Sequence, residues 1–125
     1  ASEPVIFTYS RKEALADGVQ VDVTPTAKQC GFKIPVFLTA SVFHDYVEVP
    51  EGVEGQDEVG RLWDILWMLY NAIRRSPLTS SGLLFQLYVR NDNAKPQLVT
   101  LHAVCEALDF DSLEPAITIT LPDED

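Results

Sequence analysis

Only 9 of the 125 residues are lysine or arginine, against 19 aspartates and glutamates, and the formal net charge is −10. Phosphate backbones are held by Lys and Arg through counterion release, so direct nucleic-acid binding is not expected. Anionic membrane surfaces are disfavoured for the same reason, and no apolar run approaches the roughly 20 residues that span a bilayer. Cysteine is scarce too. Cys30 and Cys105 lie far apart in the chain, which leads to an expectation of two reduced, packed thiols rather than a disulfide framework. With His44 and His102 as the sole histidines, the chain falls short of the ligand count of a zinc or hydrolase metal site. Neither GxGxxG nor GxxxxGK[ST] is present to cradle phosphates. No metal and no cofactor is expected. The opening Ala1-Ser2-Glu3-Pro4 has neither the basic nor the apolar region of a secretory signal, and a cytoplasmic setting is the expectation.

What is there suffices for one domain, residues 1–125, since 46% of the chain is hydrophobic. Ser10-Arg11-Lys12-Glu13 reads as a capping box opening a short helix that Gly18 ends. Val19–Val23 alternates as a half-buried strand does. Thr24-Pro25 opens a second short helix, closed by Gly31. Ile34–Leu38 is apolar and extended, and Thr39 looks like the N-cap of a helix over Ala40–Val47. The acidic, Pro- and Gly-containing stretch 48–56 has no period and reads as a mobile loop. Asp57–Arg75 is the strongest element. Val59, Leu62, Trp63, Leu66, Trp67, Leu69, Tyr70 and Ile73 recur at helical spacing, and Ile65, Met68 and Ala72 widen the stripe. Only Asp57, Arg61, Asp64, Asn71 and Arg75 remain for a narrow polar edge. Ile65, Met68 and Ala72 therefore form a candidate flank for a homodimer.

Three strands follow, over Leu83–Arg90, Gln97–Ala107 and Pro115–Leu121, with an acidic tail at 122–125. Their parity is informative. Leu83, Phe85, Leu87 and Val89 share a face with Val99, Leu101, Ala103 and Cys105, and with Ile117, Ile119 and Leu121, and this dry face needs the long helix as its cover. The fold class expected is α+β: a three- to four-stranded, mainly antiparallel sheet, one long helix packed on its apolar face, and short N-terminal helices. The opposite parity reads Leu84, Gln86, Tyr88 and Arg90, then Leu98, Thr100, His102, Val104 and Glu106, with Thr118 and Thr120.

No residue qualifies as catalytic. A nucleophilic thiol needs a positioned base and a pKa-lowering setting; Cys105 falls on the core parity and Cys30 near a helix end. His44-Asp45 resembles a metal-binding dipeptide but lacks companion ligands. Gln86, Tyr88, Arg90, Thr100 and His102 form a candidate binding patch, or else a plain solvated sheet face. Glu48, Glu51, Glu54, Asp57 and Glu58 form a candidate acidic surface that could imitate DNA phosphates, or else an ordinary solubilising one.

Several segments together are similar to a known family. They are Tyr9-Ser10-Arg11, Asp17-Gly18-Val19, Gly31-Phe32, Pro35-Val36, Leu38-Thr39, Gly60-Arg61-Leu62-Trp63-Asp64-Ile65-Leu66-Trp67-Met68, Leu83–Tyr88, Leu98-Val99-Thr100-Leu101, Ile117-Thr118-Ile119 and Leu121-Pro122. The chain resembles a family of small uncharacterised proteins of bacterial plasmids and other mobile elements, across nearly its whole length. The resemblance implies a bacterial cytoplasmic setting and an accessory role, and it carries over no catalytic residue. The leading expectation is a non-enzymatic accessory protein that binds another protein of basic or neutral surface. One alternative is a DNA mimic that inhibits a host nuclease of the restriction or CRISPR type. Another is a small enzyme using Tyr88, Arg90 and His102.

Overall fold

The computed structural model describes residues 9–79 and 81–124; the reading of Ala1–Pro4 and the last residue of the acidic tail lie outside them. Helix α1 (Arg11–Ala16) begins with the expected capping box: the Ser10 hydroxyl accepts from the Glu13 amide and the Glu13 carboxylate accepts from the Ser10 amide. Strand β1 (Gln20–Asp22) and helix α2 (Thr24–Cys30) follow, α2 ending at a left-handed Gly31 whose α-carbon is closed in by the Tyr70 ring. Strand β2 (Val36–Thr39) runs into helix α3 (Ala40–Val42), where the Thr39 side chain accepts from the Val42 amide as an N-cap should. The helix expected over 40–47 does not continue in α form. Phe43–Val47 opens into a π turn. Helix α4 (Glu58–Arg75) is capped by Asp57, whose carboxylate accepts from the Gly60 amide. Strands β3 (Leu83–Val89), β4 (Gln97–Asp109) and β5 (Ser112–Thr120) complete the chain.

The sheet has five strands rather than three or four, in the order β1-β2-β5-β4-β3, and it is mixed, because β2 pairs with β5 in parallel. The physical reason is legible in β2 itself. Val36, Phe37 and Leu38 are all buried, the mark of a strand covered on both faces and paired at both edges.

The expected parity holds except at Cys105, which is part-exposed and lies outside the core cluster. Phe85 stands opposite Leu101, and Ala103 opposite Ile119, and all four are buried. Val36 and Leu38 join them beside Ile117 and Ile119. Leu62, Ile65, Leu66 and Leu69 of α4 close this layer, at spacings of three and four residues that put them on one stripe. Each such burial contributes about 1.5–3 kcal/mol. Across the sheet, α1 packs beside β1 and β4, and its Arg11 side chain covers the outer face over β2 and β5. Arg11 lies at 4.2 Å over the Phe37 ring and donates to Gln20 Oε1, Thr118 Oγ1 and the Leu108 carbonyl. Thr118, assigned by parity to a wet face, is therefore buried. The outer face of β3 and β4 has no such lid, and Leu84, Tyr88 and Leu98 stand exposed there.

Candidate functional site: the open edge of the sheet

Strand β3 is one edge of the sheet, and it is paired on one side only, to β4. Its sequence, Leu-Leu-Phe-Gln-Leu-Tyr-Val, holds no charge and no proline. Edge strands are ordinarily blunted by lysines, prolines, bulges or short length, because a row of unpaired N–H and C=O groups recruits other strands. Seven regular residues without any of these devices form an open template.

Exposed apolar side chains flank it on both faces. On the outer face Leu84 is 61% exposed and Tyr88 68%, with Leu98 directly opposite Tyr88 on β4. On the other side α4 presents Trp67, 50% exposed and stacked on Tyr70 at 6.1 Å. Two clefts join the helix to the strand. One of about 240 Å³ is lined by Asp64, Trp67, Met68, Gln86, Leu87, Tyr88 and Leu98. The other, about 590 Å³, is lined by Met68, Ala72, Arg75, Leu84, Phe85, Gln86 and Thr100. They share Met68 and Gln86.

The patch expected from sequence is brought together only in part. Gln86 and Thr100 are cross-strand partners, the Gln86 amide donating to Thr100 Oγ1 at 3.1 Å, and Tyr88 sits one pair further along. His102 is opposite Leu84, with its ring laid over left-handed Gly82, where a Cβ would collide with Nε2. Arg90 has left the patch. Its guanidinium donates to the carbonyls of Glu54 and Asp92 and to Asn93 Oδ1, lashing the 52–55 loop to the β3–β4 turn. The spacing of paired residues puts Arg90 and the His102 pair position roughly 20 Å apart along β3.

The flank Ile65, Met68 and Ala72 needs correcting. Ile65 is wholly buried in the core, because it falls one turn from Leu62 and Leu69 on the stripe facing the sheet. Met68 and Ala72 are half-buried beside it, and the large apolar side chains that α4 exposes are Trp67 and, in its first turn, Val59, which helical spacing had put on the apolar stripe. The acidic set is spread over local tasks. Glu48 accepts from His44 Nδ1 at 2.8 Å, Asp57 caps α4 with Glu58 in its first turn, and Glu51 and Glu54 are exposed.

The 48–56 loop is tied by hydrogen bonds to the β3–β4 turn and to α4. Arg61, expected on the polar edge of the helix, is 4% exposed and organises it. Its Nε donates to the Tyr46 carbonyl (3.1 Å), one terminal nitrogen to the Arg90 carbonyl (2.9 Å) and Gln56 Oε1 (3.3 Å), and the other to Asn91 Oδ1 (2.6 Å). Burial, and then the charge of Arg90, lower its pKa, while Asp64 opposes them. Burial raises that of Asp64. Cys30 is buried and its thiol pKa is raised by that burial; Cys105 is part-exposed, and both are free. His44 and Asp45 gather no further donors, and no cluster of three metal-ligating side chains exists among the described residues.

Sequence reasoning missed the exposure of Trp67, and it put Leu84 and Leu98 on the outer face but left them out of the candidate patch. The signal was present in Leu83-Leu84 and Leu98-Val99, two adjacent apolar pairs that break the alternation of strands with a single dry face. No helix among the described residues is long and apolar enough to cross a membrane. No curated protein and no solved structure matches the chain. Over residues 1–125 the sequence matches the model of a family of unknown function, DUF6573, and the chain belongs to that family.

Proposed function

We propose that this chain is a non-enzymatic accessory protein that works by strand pairing, receiving an extended segment of another chain along β3. The observation that carries the reading is the uncharged, proline-free β3 edge between the exposed side chains of Leu84, Tyr88 and Leu98 on one face and Trp67 on the other. Main-chain hydrogen bonds would supply affinity, and the two clefts would select alternate side chains of the incoming segment. The net charge of −10 favours a partner of basic or neutral surface. A bacterial mobile element and the cytoplasm are the setting proposed for it.

The separation of Arg90 from His102 supports binding over catalysis, since acid–base work needs groups within hydrogen-bond reach of one reacting centre. The mimic reading draws less support: Asp57 and Glu48 are engaged within the chain.

A panel of synthetic extended peptides tests the proposal, with amide hydrogen exchange of Leu83–Val89 as the readout. At least one peptide is expected to slow exchange across β3 and to lose its effect with Tyr88→Lys. Unchanged exchange at β3 with every peptide, and with a second copy at high concentration, would end the reading.

A further inference from the structure

Resting on that reading, the pattern around β3 identifies its occupant. We propose that the β3 edge pairs antiparallel with β3 of a second copy, about a two-fold axis through Gln86.

The β3 edge is complementary to itself. Around Gln86 the strand is nearly a palindrome in character: Leu84 and Tyr88 lie two residues to either side on the outer face, Phe85 and Leu87 one residue to either side on the dry face. A two-fold axis at Gln86 sets Leu84 opposite the second copy's Tyr88, an aliphatic–aromatic pair of the kind that stabilises antiparallel ladders. The helix flank is in step. The cleft around Tyr88 ends at Asp64 and the cleft around Leu84 ends at Arg75, with Met68 beside Gln86 in both.

Leu84 to Tyr88 spans about 14 Å of strand, and Asp64 to Arg75 about 16 Å of helix. The same rotation therefore sets Asp64 of each copy towards Arg75 of the other, two opposite-charge pairs related by symmetry. Neither Asp64 nor Arg75 makes a salt bridge within its own chain among the described residues. Opposite charges at matching ends of the groove make it complementary to itself under this rotation, which favours a second copy over an unrelated segment. The patch is also the place where copies of an acidic chain can approach. Its walls carry one acid and one base, whereas the acids concentrate at residues 48–58 and 106–114.

Sedimentation equilibrium or light scattering of the full chain tests this, with circular dichroism to confirm that each variant is folded. The wild type is expected at twice the chain mass. Leu84→Lys, at an exposed position, is expected to give a folded monomer. Asp64→Arg and Arg75→Asp, each alone, place like charges together at both symmetric contacts and should weaken self-association at least about tenfold. Mixed with each other, these two variants restore both opposite-charge pairs and should form a heterodimer of near wild-type affinity.

A dimer indifferent to Leu84→Lys and to the charge exchanges would overturn the axis proposed. So would a mixture that fails to reassociate. A chain monomeric at all concentrations that still shows β3 protection with a peptide from the panel would sink the second copy while leaving strand pairing in place.

Discussion

Arg61 occupies a turn of α4 that hydropathy would give to leucine, between Leu62 and the Tyr46 carbonyl. Its planar fork of donors explains the choice: four acceptors from residues 46, 56, 90 and 91 converge on one guanidinium, which an ammonium could not satisfy together. Removing it leaves the Tyr46 carbonyl, Gln56 Oε1 and Asn91 Oδ1 without this part-buried donor, while the Arg90 carbonyl keeps the Gln56 amide. Arg61→Met is expected to lower unfolding stability by about 3 kcal/mol, and Arg61→Lys to recover only a minor share, as measured by urea denaturation. Equal stability of all three would show that water replaces the network at no cost.

At the scale of elements, α1 is held less by propensity than by one carboxylate from a distant hairpin. Asp109 accepts from the amides of Arg11 and Lys12 in the first turn, and from its neighbour Phe110. The Phe110 amide, then those of Lys12 and Arg11 and the Arg11 charge, hold the Asp109 carboxyl below the usual carboxylate range, against the opposing pull of desolvation. A depressed folded-state pKa means that the contribution is present in full above the unfolded value of about 3.9 and is lost as pH falls through the folded one. Exchange protection of the Arg11 and Lys12 amides is thus expected to persist from neutral pH through about pH 4 and to fail only as the pH drops through the lowered folded-state value. In Asp109→Asn the acid-dependent loss should disappear.

Elements of this kind also mark what the sequence could and could not say. The capping box at Ser10, the N-cap at Thr39, the turn at Gly31 and the strand parity are local rules, and each was readable within a few residues. The parallel pairing of β2 with β5 joins residues 36–38 to 117–119, and no local pattern encodes a partner so far away. Arg61 misled for a related reason. A charge on an amphipathic helix reads as solvent-facing, and only the convergence of three distant loops reveals a buried socket. The candidate patch was legible as a face but not as an edge, because edge position depends on strand order.

At the scale of the whole molecule, a charge of −10 opposes any meeting of two copies, and this gives a handle on the assembly. Raising salt from about 0.01 to 0.15 M shortens the Debye length from about 30 to about 8 Å. The long-range repulsion between two acidic bodies is screened more than the apolar and backbone contacts at β3. Self-association is therefore expected to tighten with salt in a sedimentation series. A phosphate-like acidic surface engaging a basic groove would show the reverse slope.

The two rims of the sheet are unlike. Where β3 offers seven bare residues, β1 has three, and α1 packs beside it. A molecule with two matching rims would add copies without end and grow into fibres. With one long rim able to receive and the other short and packed by α1, pairing through β3 as proposed would use the one long receptive side among the described residues, so the count would stop at two with none left to offer.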